Sequence, residues 1–204
     1  MRRKEFEVDN LEECASFLHD RNDGVLTFKG NDGWPKAVPL NYAYAEGAVY
    51  FHGSKKGEKM SGMAEDPRAE FVVYEAHAFI PSYYSDPLMA CPATVYFRSV
   101  RIRGRIEQVE EPAEKALALA ALMAKMQPEG GHLPIDASDP KYVPQLKGVA
   151  VMRLVVEEMA GKFKFGQNLS EKKRGEVIAG LKTRGLDGDA GTIELMQQYA
   201  KHKQ

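Results

Sequence analysis

Ala37-Val38-Pro39-Leu40-Asn41-Tyr42-Ala43-Tyr44-Ala45-Glu46-Gly47-Ala48-Val49-Tyr50-Phe51-His52 is the stretch that decides the fold. Two runs rich in Val, Tyr and Phe, 37–44 and 48–52, flank the two-residue turn Glu46-Gly47. So short a connection joins antiparallel strands. Upstream, Val25–Lys29 reads as another strand, separated from the first run by the turn signal Asn31-Asp32-Gly33. Downstream, further strands are expected over Ala69–Glu75, Thr94–Val109 and Val149–Glu157. No helix separates the first three strands, whereas a parallel sheet needs a crossover for nearly every pair. The expected fold is therefore mainly β with flanking helices, a six-stranded antiparallel barrel.

The helices frame these strands. Asp9 and Glu12 stand at capping-box spacing ahead of Leu11, Cys14, Ala15 and Leu18, and Gly24 is the expected stop. Glu58–Glu65 reads as a short helix ended by Pro67. Pro112–Gln127 carries proline in its first turn. Ser170 is placed to cap 171–182, and Asp187 or Asp189 to start a last helix. The segments 76–92 and 128–144, with several prolines, read as loops. Gly104, inside a strand, marks a bulge or a sharp coil, and Trp34 before Pro35 reads as packing on its turn.

Composition bounds the partners. The chain has 204 residues, 28 Lys and Arg against 29 Asp and Glu, and a net charge of −1. That balance gives no broad footprint for nucleic acid or for a membrane surface. The basic start MRRKEFEVDN has no apolar run behind it, so a cytoplasmic location is expected. The longest aliphatic stretch, Ala116–Ala124, is too short to span a bilayer. Cys14 and Cys91 have no metal-ligand spacing and read as small buried hydrophobes. The histidines show no ligand pattern either, with His202 read as solvated, and no metal site is expected. Nucleophile-elbow, P-loop and Rossmann glycine patterns are absent from the sequence.

Three windows carry chemistry. Tyr50-Phe51-His52-Gly53-Ser54-Lys55-Lys56-Gly57-Glu58-Lys59 leaves a strand, turns through two glycines and enters a helix. Glycines let backbone N–H groups approach an anion, and a helix start presents unpaired donors, so the window suits a phosphate. A solvated basic turn is the plain alternative. His52 fits a hydrogen-bonded strand end as well as a reacting group. In Tyr96-Phe97-Arg98-Ser99-Val100-Arg101-Ile102-Arg103-Gly104-Arg105, period two puts Ser99, Arg101, Arg103 and Arg105 on one face. Arg98 falls on the apolar parity, where it needs either an anion or a carboxylate. The third window, Gly161-Lys162-Phe163-Lys164-Phe165-Gly166-Gln167-Asn168, fits a strand end presenting amides to a ligand, or an edge strand guarded by lysines.

Taken in order, Ala37–Tyr42, Val49–Gly53 with Gly57-x-Lys59, and Tyr96–Val100 through Gly104 resemble the FMN-binding split β-barrel proteins of the pyridoxamine-phosphate-oxidase-like superfamily, the nitroimidazole-reductase-like branch above all. The tail 161–168 with Arg174 and 177–181 is similar to the Pai-type FMN-binding regulators. The resemblance implies a split-barrel domain over residues 1–160, with 161–204 as a C-terminal extension packed on it. It also implies a homodimer holding FMN at its interface, with a small-molecule substrate or electron acceptor. Val38, Pro39, Leu40 and Asn41 would follow the flavin edge. Phe51, His52, Gly53, Ser54 and Lys59 would lie near the phosphate or the reacting face, and Arg98, Ser99 and Gln167 close to the cofactor. His52 stands where that branch has a histidine connected with reactivity. A flavin-dependent oxidoreductase is the implied function. A non-catalytic FMN-binding sensor and a haem-binding relative are the alternatives.

Overall fold

A computed structural model describes residues 3–201, with the backbone alone at Glu58, Lys59 and Lys201. In chain order its elements are β1 (Glu7–Val8), α1 (Leu11–Asp20), β2 (Asp23–Lys29), β3 (Pro35–Asn41), β4 (Ala43–Ala45) and β5 (Ala48–Gly53). There follow α2 (Glu58–Glu65), β6 (Arg68–Ile80), β7 (Thr94–Val109), α3 (Pro112–Met126), α4 (Val143–Gly148), β8 (Ala150–Lys164), α5 (Glu171–Arg184) and α6 (Asp189–Lys201). The strands form a sheet of order β3-β2-β6-β7-β8-β5-β4, with β1 added on β8. Every strand pair with a resolved register is antiparallel. Fold class is as expected, mainly β with flanking helices, but the strands among the described residues number eight and not six. The 37–44 run divides into β3 and β4, and β1 exists only because β8 lends it a partner.

The division occurs at Tyr42. Asn41 pairs with Asp23 of β2, whereas Ala43 pairs with Tyr50 of β5. One continuous run of chain thus changes ladder partner across a single residue, and its two halves occupy opposite ends of an open hydrogen-bonded path. Tyr42 is fully buried. Its hydroxyl donates to Leu18 O at 2.8 Å, its ring meets Phe71 edge-on at 4.9 Å, and Lys125 Nζ lies 4.2 Å from the ring centroid. Burial pushes its phenol well above the ordinary value. The turn after β4 holds Glu46 at φ 48° and Gly47 at φ 72°, the pair of left-handed residues that a two-residue hairpin needs.

The chain divides into two compact units. One comprises residues 10–73 and 100–160. In it α1 begins at Asn10, not at Asp9, with the Asn10 side chain accepting from the N–H groups of Glu12 and Glu13. Gly24 does not end that helix. It lies in β2, where a Cβ would come within 2.4 Å of the Phe71 ring. Helix α3, started by Pro112 with Glu111 accepting from Glu114 N, packs Ala118 against Ala48, Tyr50, Val109 and Val151. Gly104 makes no break in β7. A Cβ there would fall 1.8 Å from Val155 O, so glycine is required by close backbone approach. Trp34 is exposed, contrary to its expected turn packing.

The other unit comprises residues 1–9, 74–99 and 161–204. It holds β1, the end of β6, the start of β7, the end of β8, and helices α5 and α6. Its core is aromatic: Phe165 stacks on Tyr199 at 5.5 Å, with Phe163 edge-on to the same ring. Ser170 accepts from Lys173 N at the start of α5, and Gly185 closes that helix in the left-handed region. Two expectations fail here. Residues 76–80, read as loop, continue β6. Residues 161–164 are strand as expected, the end of β8, but not an edge where Glu7 and Val8 pair with Lys162 and Gly161. Cys14 is buried as expected, but Cys91 is exposed. His202 lies outside the described residues.

Candidate functional site

In the unit of residues 10–73 and 100–160, the predicted phosphate window begins at the C-terminal end of β5. Phe51, His52 and Gly53 pair in register with Met152, Val151 and Ala150 of β8. The Phe51 ring is wholly buried, while His52 alternates outward and is exposed. Asn41 and His52 each lie two residues from the paired couple Ala43 and Tyr50. The partner change at Tyr42 therefore sets the end of β3 and the end of β5 at one junction. As the last strand of its path, β3 has a single ladder partner, so half of its backbone groups turn away from β2. Val38 and Leu40 are half-buried, and Pro39 and Asn41 are exposed.

Past Gly53 the chain turns into α2. Ser54 Oγ accepts from Lys56 N at 3.2 Å, bending the backbone before the helix. Gly57 is the N-cap at φ 120°, a conformation that only glycine adopts easily, and it offers no side chain to the first N–H groups. A Cβ at Gly57 would meet nothing within 4 Å, so this corner of the backbone faces open space. Helix α2 is held on β2: Gly62 lies close to Phe28 and to Lys29 O, Met63 is buried, and Ser61 receives a hydrogen bond from Asn31. A helix start without a side-chain acceptor, reached through two glycines and a serine, has the donor set that a phosphate monoester requires. Of the lysines, Lys55 donates to Lys147 O at the end of α4, where a cation meets the last carbonyls. Lys56 is exposed. The Lys59 side chain lies outside the described residues.

Arg98, Ser99 and Gln167 belong to the other unit and do not join this cluster within one unit. Arg98 resolves its parity with a carboxylate: Nη2 and Nε donate to Glu75 Oε2 at 2.8 and 3.2 Å. Glu75 is shared with His77, whose Nε2 lies 2.9 Å away, and Arg98 Nε is 3.1 Å from the same imidazole nitrogen. All three side chains are largely buried. Sequence reading missed Glu75 and His77; their shared parity at the end of β6 was the available signal. Ser99 Oγ donates to Lys162 O. The Gln167 amide closes its own turn, accepting from Phe165 N and donating to Phe163 O, both at 2.7 Å.

The second face of β7 is also satisfied internally. Arg101 and Arg103 pair with Glu70 and Glu158, and Arg105 pairs with Glu157. Among the described residues no cluster of His, Cys, Asp or Glu could hold a metal ion. No helix among them is long and apolar enough to cross a membrane.

Comparison with known proteins agrees with this architecture. Similar structures include a protein assigned to 5-nitroimidazole antibiotic resistance from Bacteroides thetaiotaomicron (20% identity, 76% of this chain and 85% of that one, TM-score 0.62). Others are a flavocytochrome of Azotobacter vinelandii (22%, 78% and 69%, TM-score 0.65) and an FAD- and haem-binding protein of Mycobacterium smegmatis (19%, 78% and 73%, TM-score 0.65). At these identities the likeness is one of fold. No curated protein matches the sequence. The sequence family described as pyridoxamine 5'-phosphate oxidase matches residues 10–163, which contain the partner-changing strand, the Gly53–Gly57 corner and the Arg98 strand. With its split-barrel strand order and more than half its length matched, the chain belongs to the pyridoxamine 5'-phosphate oxidase family.

Proposed function

We propose that this chain binds FMN and acts, as a homodimer in the cytoplasm, as a flavin-dependent oxidoreductase on a small molecule. The observation that carries the reading is the corner Gly53-Ser54-Gly57 opening α2, with its glycine N-cap and open approach. Beside it lies the one-sided backbone of β3, suited to the polar edge of a planar ring system. Gly53, Ser54 and Lys59 would hold the phosphate, and Val38, Pro39, Leu40 and Asn41 would orient the ring. Arg98, Ser99 and Gln167 are proposed cofactor neighbours as well. The buried Phe51 would contribute through its position in β5. When bound, the flavin supplies two-electron transfer; the protein positions it and excludes water. His52, exposed at the junction, is placed to hold or deliver a proton to a substrate atom. Exposed aromatic side chains such as Tyr74, Phe79 and Tyr83 support burial against a second copy.

The cofactor is tested by absorbance of the purified protein and by chromatography of what it releases on denaturation. FMN is expected. FAD or haem, the ligands of the similar protein from Mycobacterium smegmatis, would replace this reading. Because charge-assisted hydrogen bonds contribute about 1.5–3 kcal/mol each, riboflavin should bind at least about 10²-fold more weakly than FMN. Sedimentation of the flavin-loaded protein should give a dimer. His52→Ala should leave flavin content intact and lower nitroaromatic reduction per bound flavin by about tenfold or more. Unchanged turnover per flavin would remove His52 from the chemistry, and no turnover in the parent protein would favour a sensor.

A further inference from the structure

We infer that a cavity lined by the N-terminal segment, the stretch from Ile80 to Phe97, the end of β8 and the start of α5 binds a small organic anion with a flat apolar body. It lies wholly within the unit of residues 1–9, 74–99 and 161–204 and measures about 440 Å³. That volume is within the usual range of small-molecule sites. Its cations are Arg3, Lys162, Lys164 and Lys173, and no acidic side chain is part of the lining. Its apolar wall includes Phe6 and Phe97. Of its four cations, Arg3 precedes the family match and Lys164 and Lys173 follow it, whereas the wall from Ile80 to Phe97 lies within it.

Protein side chains answer these charges only in part. Lys164 donates to Thr94 Oγ1 and lies 5.9 Å from the Phe6 ring centroid. Lys162 lies 5.5 Å from that of Phe97. These are a neutral hydroxyl and two distant ring faces, weaker than one carboxylate. Arg3 has an exposed contact with Glu5 at 3.4 Å, a kind that contributes little. Asp86 is engaged first by the N–H groups of Leu88 and Met89, and these, with Lys173 as a weaker contributor, hold its carboxyl below the usual range. Burial, then Lys162 and Arg3, lower the affinity of Lys164 for its proton. Lys162 and Lys164, half-removed from water and flanked by the exposed Arg3 and Lys173, are relieved by an anion, and the aromatic wall selects one with a planar body. Edge protection does not account for Lys162, because β1 already covers β8 there.

The test uses the full chain in its flavin-loaded form, titrated calorimetrically with 2-naphthoate, with 1-naphthyl phosphate and with uncharged 2-naphthamide. At least one of the two anions should bind, and the amide at least about tenfold more weakly; the tighter anion identifies the headgroup. Lys164→Met and Lys162→Gln should each weaken anion binding about tenfold or more, as loss of a charge-assisted contact does. Bound flavin, followed by its absorbance, should not change. Equal affinity for acid and amide, or undiminished binding in both variants, would overturn the inference. Release of flavin by the naphthoate would also overturn it, by making the cavity part of the flavin site. Flavin content is read separately, so failure here leaves the flavin proposal standing.

Discussion

Two basic groups in this protein have similar numbers of charges and opposite surroundings. On β7, Arg101, Arg103 and Arg105 each find a glutamate of β6 or β8. Around the end of β8, Arg3, Lys162 and Lys164 line a cavity without a carboxylate. Arg101-x-Arg103-x-Arg105 and Lys162-x-Lys164 look alike in sequence, as cations spaced two apart on a strand. What marks a candidate ligand site is the missing counter-charge, which only the neighbouring strands reveal. Arginine's planar fork also suits pairing with a carboxylate, whereas a lysine's single ammonium leaves more of its field to an incoming ligand.

The comparison can be broken or sharpened by substitution. The arginine row depends on the close approach of β7 and β8 at Gly104, where a Cβ would collide with the backbone at Val155 O. Gly104→Ala should therefore cost about 3 kcal/mol or more, seen as a large fall in the urea midpoint. A small loss would mean that the strands part easily, and that the pairing on β7 is not fixed by them.

A compensated but buried pair provides the next case. Arg184 donates to Asp189 at 3.0 and 2.5 Å and to Phe79 O at 2.7 Å, and the Asp189 side chain is 4% exposed. Arg184→Met should cost about 3 kcal/mol, because it leaves a buried carboxylate without its partner. The Arg184 guanidinium holds the Asp189 carboxyl below the usual carboxylate range. A folded value below the unfolded one, near about 3.9, gives stability that is complete above about pH 4. It is lost as pH falls through the folded value. The variant should lack this acid limb in urea titrations run from pH 6 to pH 2.

Lys164 should show the opposite sign. Its folded value is lowered by burial and by its cationic neighbours, so its charge opposes folding at neutral pH. That cost is relieved as pH rises through the folded value toward the unfolded one, near about 10.4. Lys164→Met should raise the urea midpoint of the ligand-free protein slightly at pH 7, the effect being small because water screens the charge. It should also flatten the alkaline rise in stability. Arg103→Met, on the exposed row, is expected to leave the urea midpoint unchanged within error, since its glutamates retain Arg101.

The sequence was legible where interactions are local. β7 and α2 begin and end where alternation, Gly57 and Pro67 place them. The Gly53–Gly57 corner was visible for the same reason, since its geometry depends on residues within one turn of each other. β1 and α4 were not visible: two residues carry no periodicity, and α4 lies in a segment whose prolines suggest loop. The break expected near residue 157 was absent because the ladder with β1 carries β8 through Gly161. For Arg98, parity disclosed the need for a partner but not its identity. Glu75 and His77 are more than twenty residues away, on a strand expected to end at Glu75.

The change of partner at Tyr42 has a consequence for tolerance to insertion and deletion. The β2–β3 and β4–β5 ladders meet in one residue, so neither can slip by one position without shifting the other. A slip would also turn the Tyr42 ring toward solvent, abandoning Leu18, Phe71 and Lys125 together. Adding or removing one residue between 40 and 44 would thus put two registers in error at once. The same change at Glu46-Gly47, an exposed hairpin tip, would alter only a loop. Length variation among close homologues should accordingly collect at 46–47 and avoid the four bonds around Tyr42.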